Sequence, residues 1–124
     1  AGIPAAGRLA MKYGEYTARC LSLAEGLLLD EELDVKRAIS FAIRLSARGD
    51  VTEVRQFLEK QVPPQNPVST WVLCDVIRSM TKTFLPEFVS LIPTYEAWTA
   101  DPNLSSKDRR SVESALKTLK KGLS

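Results

Sequence analysis

The chain contains no histidine. Without an imidazole it cannot assemble a Ser-His-Asp or Cys-His pair, which removes hydrolysis by a histidine-activated nucleophile. Its two cysteines, Cys20 and Cys74, lie far apart in the chain. A zinc site is therefore not expected, since such sites draw on clustered cysteine and histidine. Both cysteines fall in helical patterns, which predicts buried thiols rather than a disulfide, and with them the cytoplasm as compartment. No apolar run approaches the roughly 20 residues of a membrane span. The start, Ala1-Gly2-Ile3-Pro4, lacks the basic and then apolar regions of a secretory signal. No membrane partner is expected, and no glycine-rich phosphate loop is present. Charge of one sign is also missing: 17 basic against 15 acidic residues leave only +2. A balance so small says nothing of a polyanionic partner, so only the distribution of charge can argue for one.

What is present reads as helix. At 124 residues the chain is expected to form one domain, residues 1–124, with a real core and as a monomer. Ala5 to Lys12 predicts a short helix. Tyr16 to Leu29 predicts a longer one, burying Ala18, Leu21, Leu23, Ala24, Leu27 and Leu28. Asp34 is suited to cap the next helix, which ends near Gly49, and Asp50 to cap another through Gln61. Val62-Pro63-Pro64-Gln65-Asn66-Pro67 breaks the pattern, because its prolines forbid a regular helix. A helix from Ser69 or Thr70 to about Phe84 follows, then one from Pro86 to Thr99 kinked at Pro93. Asp101-Pro102-Asn103 is a turn. Ser105 can cap the last helix, with Asp108 in the capping-box position, and that helix runs to Lys121 before Gly122.

The helix after the proline break organises the chain. At about 100° per residue, Leu73, Val76, Ile77, Met80 and Phe84 form its apolar stripe. Trp71, Asp75, Arg78 and Lys82 fall in a narrow arc on the opposite side. A large aromatic thus faces away from the core, one turn from a carboxylate and beside two cations. Two plainer readings stand beside a functional one. Trp71 can pack on the preceding loop, and Asp75 can form a surface ion pair with Arg78 or Lys82.

The pattern recurs. Ala38/Ile39, Val76/Ile77 and Ala115/Leu116 are core pairs about 38 or 39 residues apart. That is near the period of HEAT-type helical repeats, and it predicts an all-α fold, a short α-solenoid of stacked helix pairs. Each of these helices has a polar face opposite its core. On the 34–48 helix it carries Lys36, Arg37, Ser40, Arg44 and Arg48. On the last helix it carries Lys107, Arg110, Lys117 and Lys121. A single basic face is usually solvated surface. Three side by side would merge into one basic concave surface with Trp71 and Asp75 near its middle, suited to a phosphate backbone.

Four segments resemble the AlkD-like family of DNA alkylation repair proteins, HEAT-like glycosylases. They are Gly2-Ile3-Pro4 through Ala10-Met11-Lys12; Leu27 to Ala38; Thr70-Trp71-Val72-Leu73-Cys74-Asp75, similar to the family's Trp-x-x-x-Asp motif; and Trp98 to Asn103 followed by Arg109-Arg110. The family often has an aromatic before the arginine pair, where this chain reads Leu104-Ser105-Ser106-Lys107-Asp108. Family members are longer, so a chain shorter than a complete member is expected.

The resemblance implies excision of positively charged N3- or N7-alkylated purines from double-stranded DNA, without a cofactor or metal, and association with the nucleoid when bound. It gives Asp75 the task of stabilising the cationic sugar, with Trp71 against that sugar. Arg110, and with less reason Arg109, would hold a backbone phosphate. Helix geometry favours Arg110, because Arg109 falls nearer the core edge, where Trp98 is also expected. The remaining DNA contacts are expected from Lys107, Arg78, Lys82, Arg44, Arg48, Lys117 and Lys121. The other reading is a non-catalytic HEAT-like module that binds DNA or protein.

Overall fold

Helical periodicity becomes helix throughout the computed structural model, which describes residues 2–123, with no strand among them. The helices are α1 (Gly2–Lys12), α2 (Thr17–Leu27), α3 (Leu33–Gly49), α4 (Val51–Gln61), α5 (Thr70–Arg78), α6 (Leu85–Phe88), α7 (Ile92–Thr99) and α8 (Ser106–Lys120). Short 3-10 turns join several of them. Among the described residues, no helix is long and apolar enough to cross a membrane.

The caps set several boundaries. The Asp50 carboxylate accepts from the Glu53 N–H and starts α4, and the Ser105 hydroxyl accepts from the Asp108 N–H and starts α8. Asp34 is not a cap. Glu32 precedes α3, and Asp34 stands in its first turn, where a carboxylate faces the positive end of the helix dipole. The expected helix to Phe84 stops early. α5 ends at Arg78, Ser79 and Met80 bond back to Asp75 and Ile77, and residues 79–84 form turns. The apolar period continues past that end because Met80 is buried and Phe84 half-buried from the turn itself. The stretch after it is split rather than kinked. A 3-10 turn, Val89–Leu91, separates α6 from α7, and Pro93 sits in the first turn of α7, where its missing N–H costs nothing.

α1, α3, α5 and α8 lie side by side, each packed on the next, while α2 and α4 pack together behind α3, and α7 packs on α8. The side-by-side helices run in the same sense. Gly7 of α1 faces Ala42 of α3, and Ala10, further on, faces Gly49. The α1–α3 crossing is close enough that a Cβ on Gly7 would sit 2.8 Å from the Ala42 Cα, and one on Gly49 would strike the Ala10 carbonyl. Only glycine permits that approach.

α5 is the most enclosed helix of the row. Thr70, Val72, Leu73, Cys74, Val76 and Ile77 are all buried, which leaves only Trp71, Asp75 and Arg78 partly open. α7 closes the core beneath it: the buried Tyr95 hydroxyl donates to the Leu73 carbonyl at 2.8 Å, and Trp98 is buried beside Tyr95. On α2 the buried face is Cys20, Leu21, Ala24 and, just past the helix, Leu28. Ala18 and Leu23, expected inside, are exposed on the two flanks of that face, Ala18 bordering a groove shared with Phe57 of α4 and Leu23 one shared with Ile3 of α1 and Val35 of α3.

Candidate functional site

The three residues that α5 leaves open are held by its neighbours. Ser40 of α3 is completely buried, and its hydroxyl donates to Asp75 Oδ2 at 2.7 Å. Asp75 Oδ1 lies 3.8 Å from an Arg78 guanidinium nitrogen, one turn along α5. Arg78 in turn donates to the Ser111 hydroxyl of α8 at 2.9 Å. A polar chain, Ser40–Asp75–Arg78–Ser111, therefore links α3, α5 and α8. Ser40 was expected on an outward polar face. Its position 35 residues before Asp75 puts it instead at the α3–α5 contact, where its small side chain fits between backbones.

This chain fixes the carboxylate without enclosing it. The Asp75 side chain keeps 21% of its exposure and Arg78 keeps 28%. One hydroxyl and one guanidinium hold the charge in place while one edge still meets solvent. Trp71, one turn earlier, packs partly against the core and is half-buried. So the structure brings Trp71, Asp75 and Arg78 together on one stripe. Lys82 does not join them as a helical neighbour; it is exposed in the turn beyond α5.

Cations flank the stripe on both sides. On α3, Arg37 and Arg48 are exposed and Arg44 is half-buried, with its guanidinium 5.7 Å from the centre of the Phe41 ring. Arg37 is partly engaged by Asp34 at 4.0 Å. On α8, Lys107, Arg110 and Lys117 are exposed, as is Lys121 in the turn that follows. At 100° per residue these four fall opposite the buried stripe of Val112, Ala115, Leu116 and Leu119.

Arg109 is spent elsewhere. It is half-buried, and its guanidinium donates to the carbonyls of Thr99 and of Asp101, the latter at 2.9 Å. Thr99 is the last residue of α7, so Arg109 satisfies the free carbonyls at a helix C-terminus and opposes its negative dipole end. Of the arginine pair, only Arg110 remains for a ligand.

Two features of this face have no signal in the helical pattern. Phe41 is exposed at 39%, an aromatic on an otherwise basic stripe. Ser40 becomes the partner of Asp75 only through tertiary packing. Beneath the stripe, burial pushes the Cys74 thiol up to about 11 despite a hydrogen bond from Ser111 and the nearby Arg78 charge. The thiol stays neutral and supplies no nucleophile at neutral pH. Among the described residues no group of three or more Cys, Asp and Glu is placed to hold a metal ion.

Comparison of the chain with protein-family models, with curated proteins and with solved structures finds no match in any of the three.

Proposed function

We propose that the protein binds double-stranded DNA across α3, α5 and α8 and excises cationic alkylpurines from it, with Asp75 as the catalytic carboxylate. The observation that carries this reading is the stripe Trp71–Asp75–Arg78, held by Ser40 and Ser111 and flanked on both sides by exposed cations. An isolated carboxylate on a DNA-facing surface would repel phosphates. Here Arg78 offsets its charge locally, while Arg44, Arg48, Lys107, Arg110, Lys117 and Lys121 are available to phosphates on either side. The row of parallel helices and the 38-residue recurrence agree with a HEAT-like solenoid, in which these helices form one continuous inner face.

The chemistry asks little of the protein. An N3- or N7-alkylated purine carries a positive charge, so the C1′–N9 bond breaks with its electron pair leaving to the ring and neutralising it. Positive charge develops on the deoxyribose. Asp75, already oriented by Ser40, stabilises that charge without reorganising, and the Trp71 ring lies against the sugar. A water oxygen then bonds to C1′, and its proton passes to Asp75 or to solvent. No histidine, metal or cofactor enters any of these steps.

A second reading rests on the same polar chain. Because Asp75 already serves as the link between α3 and α5, it can be structural, and the protein a DNA-binding helical module without catalysis. Both readings require the basic face to engage DNA, which a binding titration across salt concentration tests. Affinity should fall steeply, each phosphate engaged adding roughly −0.9 to the slope of log affinity against log salt. Binding that ignores salt, or no binding at low salt, overturns both.

A further inference from the structure

Arg44 and Arg48 stand one turn apart on α3, and neither is paired with a carboxylate among the described residues. The ion pairs among the described residues are Arg37–Asp34, Arg55–Glu59, Arg78–Asp75 and Lys120–Glu96. Among the described residues the Arg48 guanidinium has only the Met11 sulfur as a partner, at 3.8 Å. Two like charges at this spacing repel each other along the helix. Both line a cleft of about 90 Å³ between α3 and the turn after α5, with Phe41 and Phe84 as apolar walls and the hydroxyl residues Ser79 and Thr81 at its rim. Arg44 Nε is shut off from solvent and has no acceptor among the described residues, so an external group can meet this side chain only at its terminal guanidinium nitrogens.

We infer that this cleft is a phosphate clamp, in which a single phosphate group accepts from the terminal guanidinium nitrogens of Arg44 and of Arg48. The planar, always charged fork of arginine suits tetrahedral oxyanions, and a phosphate here relieves the repulsion between the two guanidinia. The cleft is small, about 90 Å³, on the scale of one such group. Arg44 is one helical turn beyond Ser40, which touches Asp75, so the clamp lies about 5–6 Å along the helix from the proposed reaction site. The clamp deepens the DNA reading in its choice of source, since the phosphate could also belong to a free phosphate or phosphomonoester.

The test reads the Arg44 Nε–H resonance in a 15N-labelled chain, assigned by its loss in Arg44→Lys. Two probes are titrated separately: inorganic phosphate, and an undamaged DNA duplex about one helical turn long. The signal, as a reporter of the guanidinium, should move on saturation, and Arg44→Lys, which keeps the charge but loses the planar fork, should weaken the responding probe about tenfold or more. Arg48→Gln, a change at an exposed position, should weaken it likewise and serves if Arg44→Lys does not fold. Movement with the duplex identifies a backbone phosphate. Movement with inorganic phosphate and no duplex binding keeps the clamp and removes the DNA reading. A duplex that binds while Arg44 Nε–H stays unmoved overturns the clamp and leaves the DNA reading standing. Full affinity for both probes in Arg44→Lys and Arg48→Gln also overturns it.

Discussion

The buried hydroxyl of Ser40 donates to the Asp75 carboxylate across 2.7 Å, and this bond joins α3 to α5 at the one stripe where α5 meets solvent. Removing it leaves a partly buried carboxylate with Arg78 alone. Ser40→Ala should cost about 1–2 kcal/mol in urea unfolding, the lower end for a hydrogen bond to a charged group, because Asp75 still reaches water. An unchanged midpoint and slope would mean that the contact does not tie the helices together.

Stability should fall as pH rises from about 9 to about 11. Burial raises the Cys74 thiol from its ordinary 9.0 to about 11, and burial also raises Cys20 and the Tyr95 phenol. In that window the unfolded chain gives up a thiol proton that the folded chain retains. The unfolded state then binds fewer protons, so stability is complete below about 9 and is lost on going up. Urea unfolding at about pH 8 and about pH 10 measures the drop, and Cys74→Ala should make it shallower. A drop of equal size in that variant would show that Cys74 contributes nothing to it.

The arginine pair should separate stability from binding. Arg109→Gln loses the donor to the Thr99 and Asp101 carbonyls and should cost about 1–2 kcal/mol of stability. Arg110→Gln, at an exposed position, should stay within about 0.5 kcal/mol of the parent while lowering the salt slope of DNA binding by about one. Thermal unfolding and a binding titration on both variants decide it. The reverse assignment of the two effects would contradict the geometry.

These contrasts also mark where the amino-acid pattern was readable. The caps Asp50 and Ser105, the core stripe of α5 and the placement of Trp98 inside are local, set by spacing and side-chain chemistry, and each was legible in advance. The line of Trp71, Asp75 and Arg78 along α5 was legible for the same reason, but Trp71, expected to face away from the core, packs partly against it. The end of α5 was not, because Met80 and Phe84 continue the apolar period from a turn that packs inward. Ser40 looked like one more polar residue on a basic face. Its role depends on which neighbour α3 meets 35 residues later, and no helical period carries that information. Arg109 and Arg110 differ by only 100° of helical rotation, and the loss of Arg109 to α7 depends on where α7 ends.

The central claim is that Asp75 acts on the developing sugar cation rather than only joining two helices. Asp75→Asn separates the two roles, since the amide oxygen still accepts from Ser40 while the negative charge is gone. Loss of a charge that acts mainly in the transition state lowers the chemical rate and leaves ground-state binding nearly intact, or tighter once repulsion from phosphates is relieved. The decisive measurement is single-turnover release of 7-methylguanine from alkylated duplex DNA by the parent and by Asp75→Asn, each beside a DNA-binding titration. The parent should release the base and the variant should lose about 100-fold or more of that rate, with binding retained. A parent that binds DNA without releasing base, or a variant that keeps the full rate, contradicts that claim.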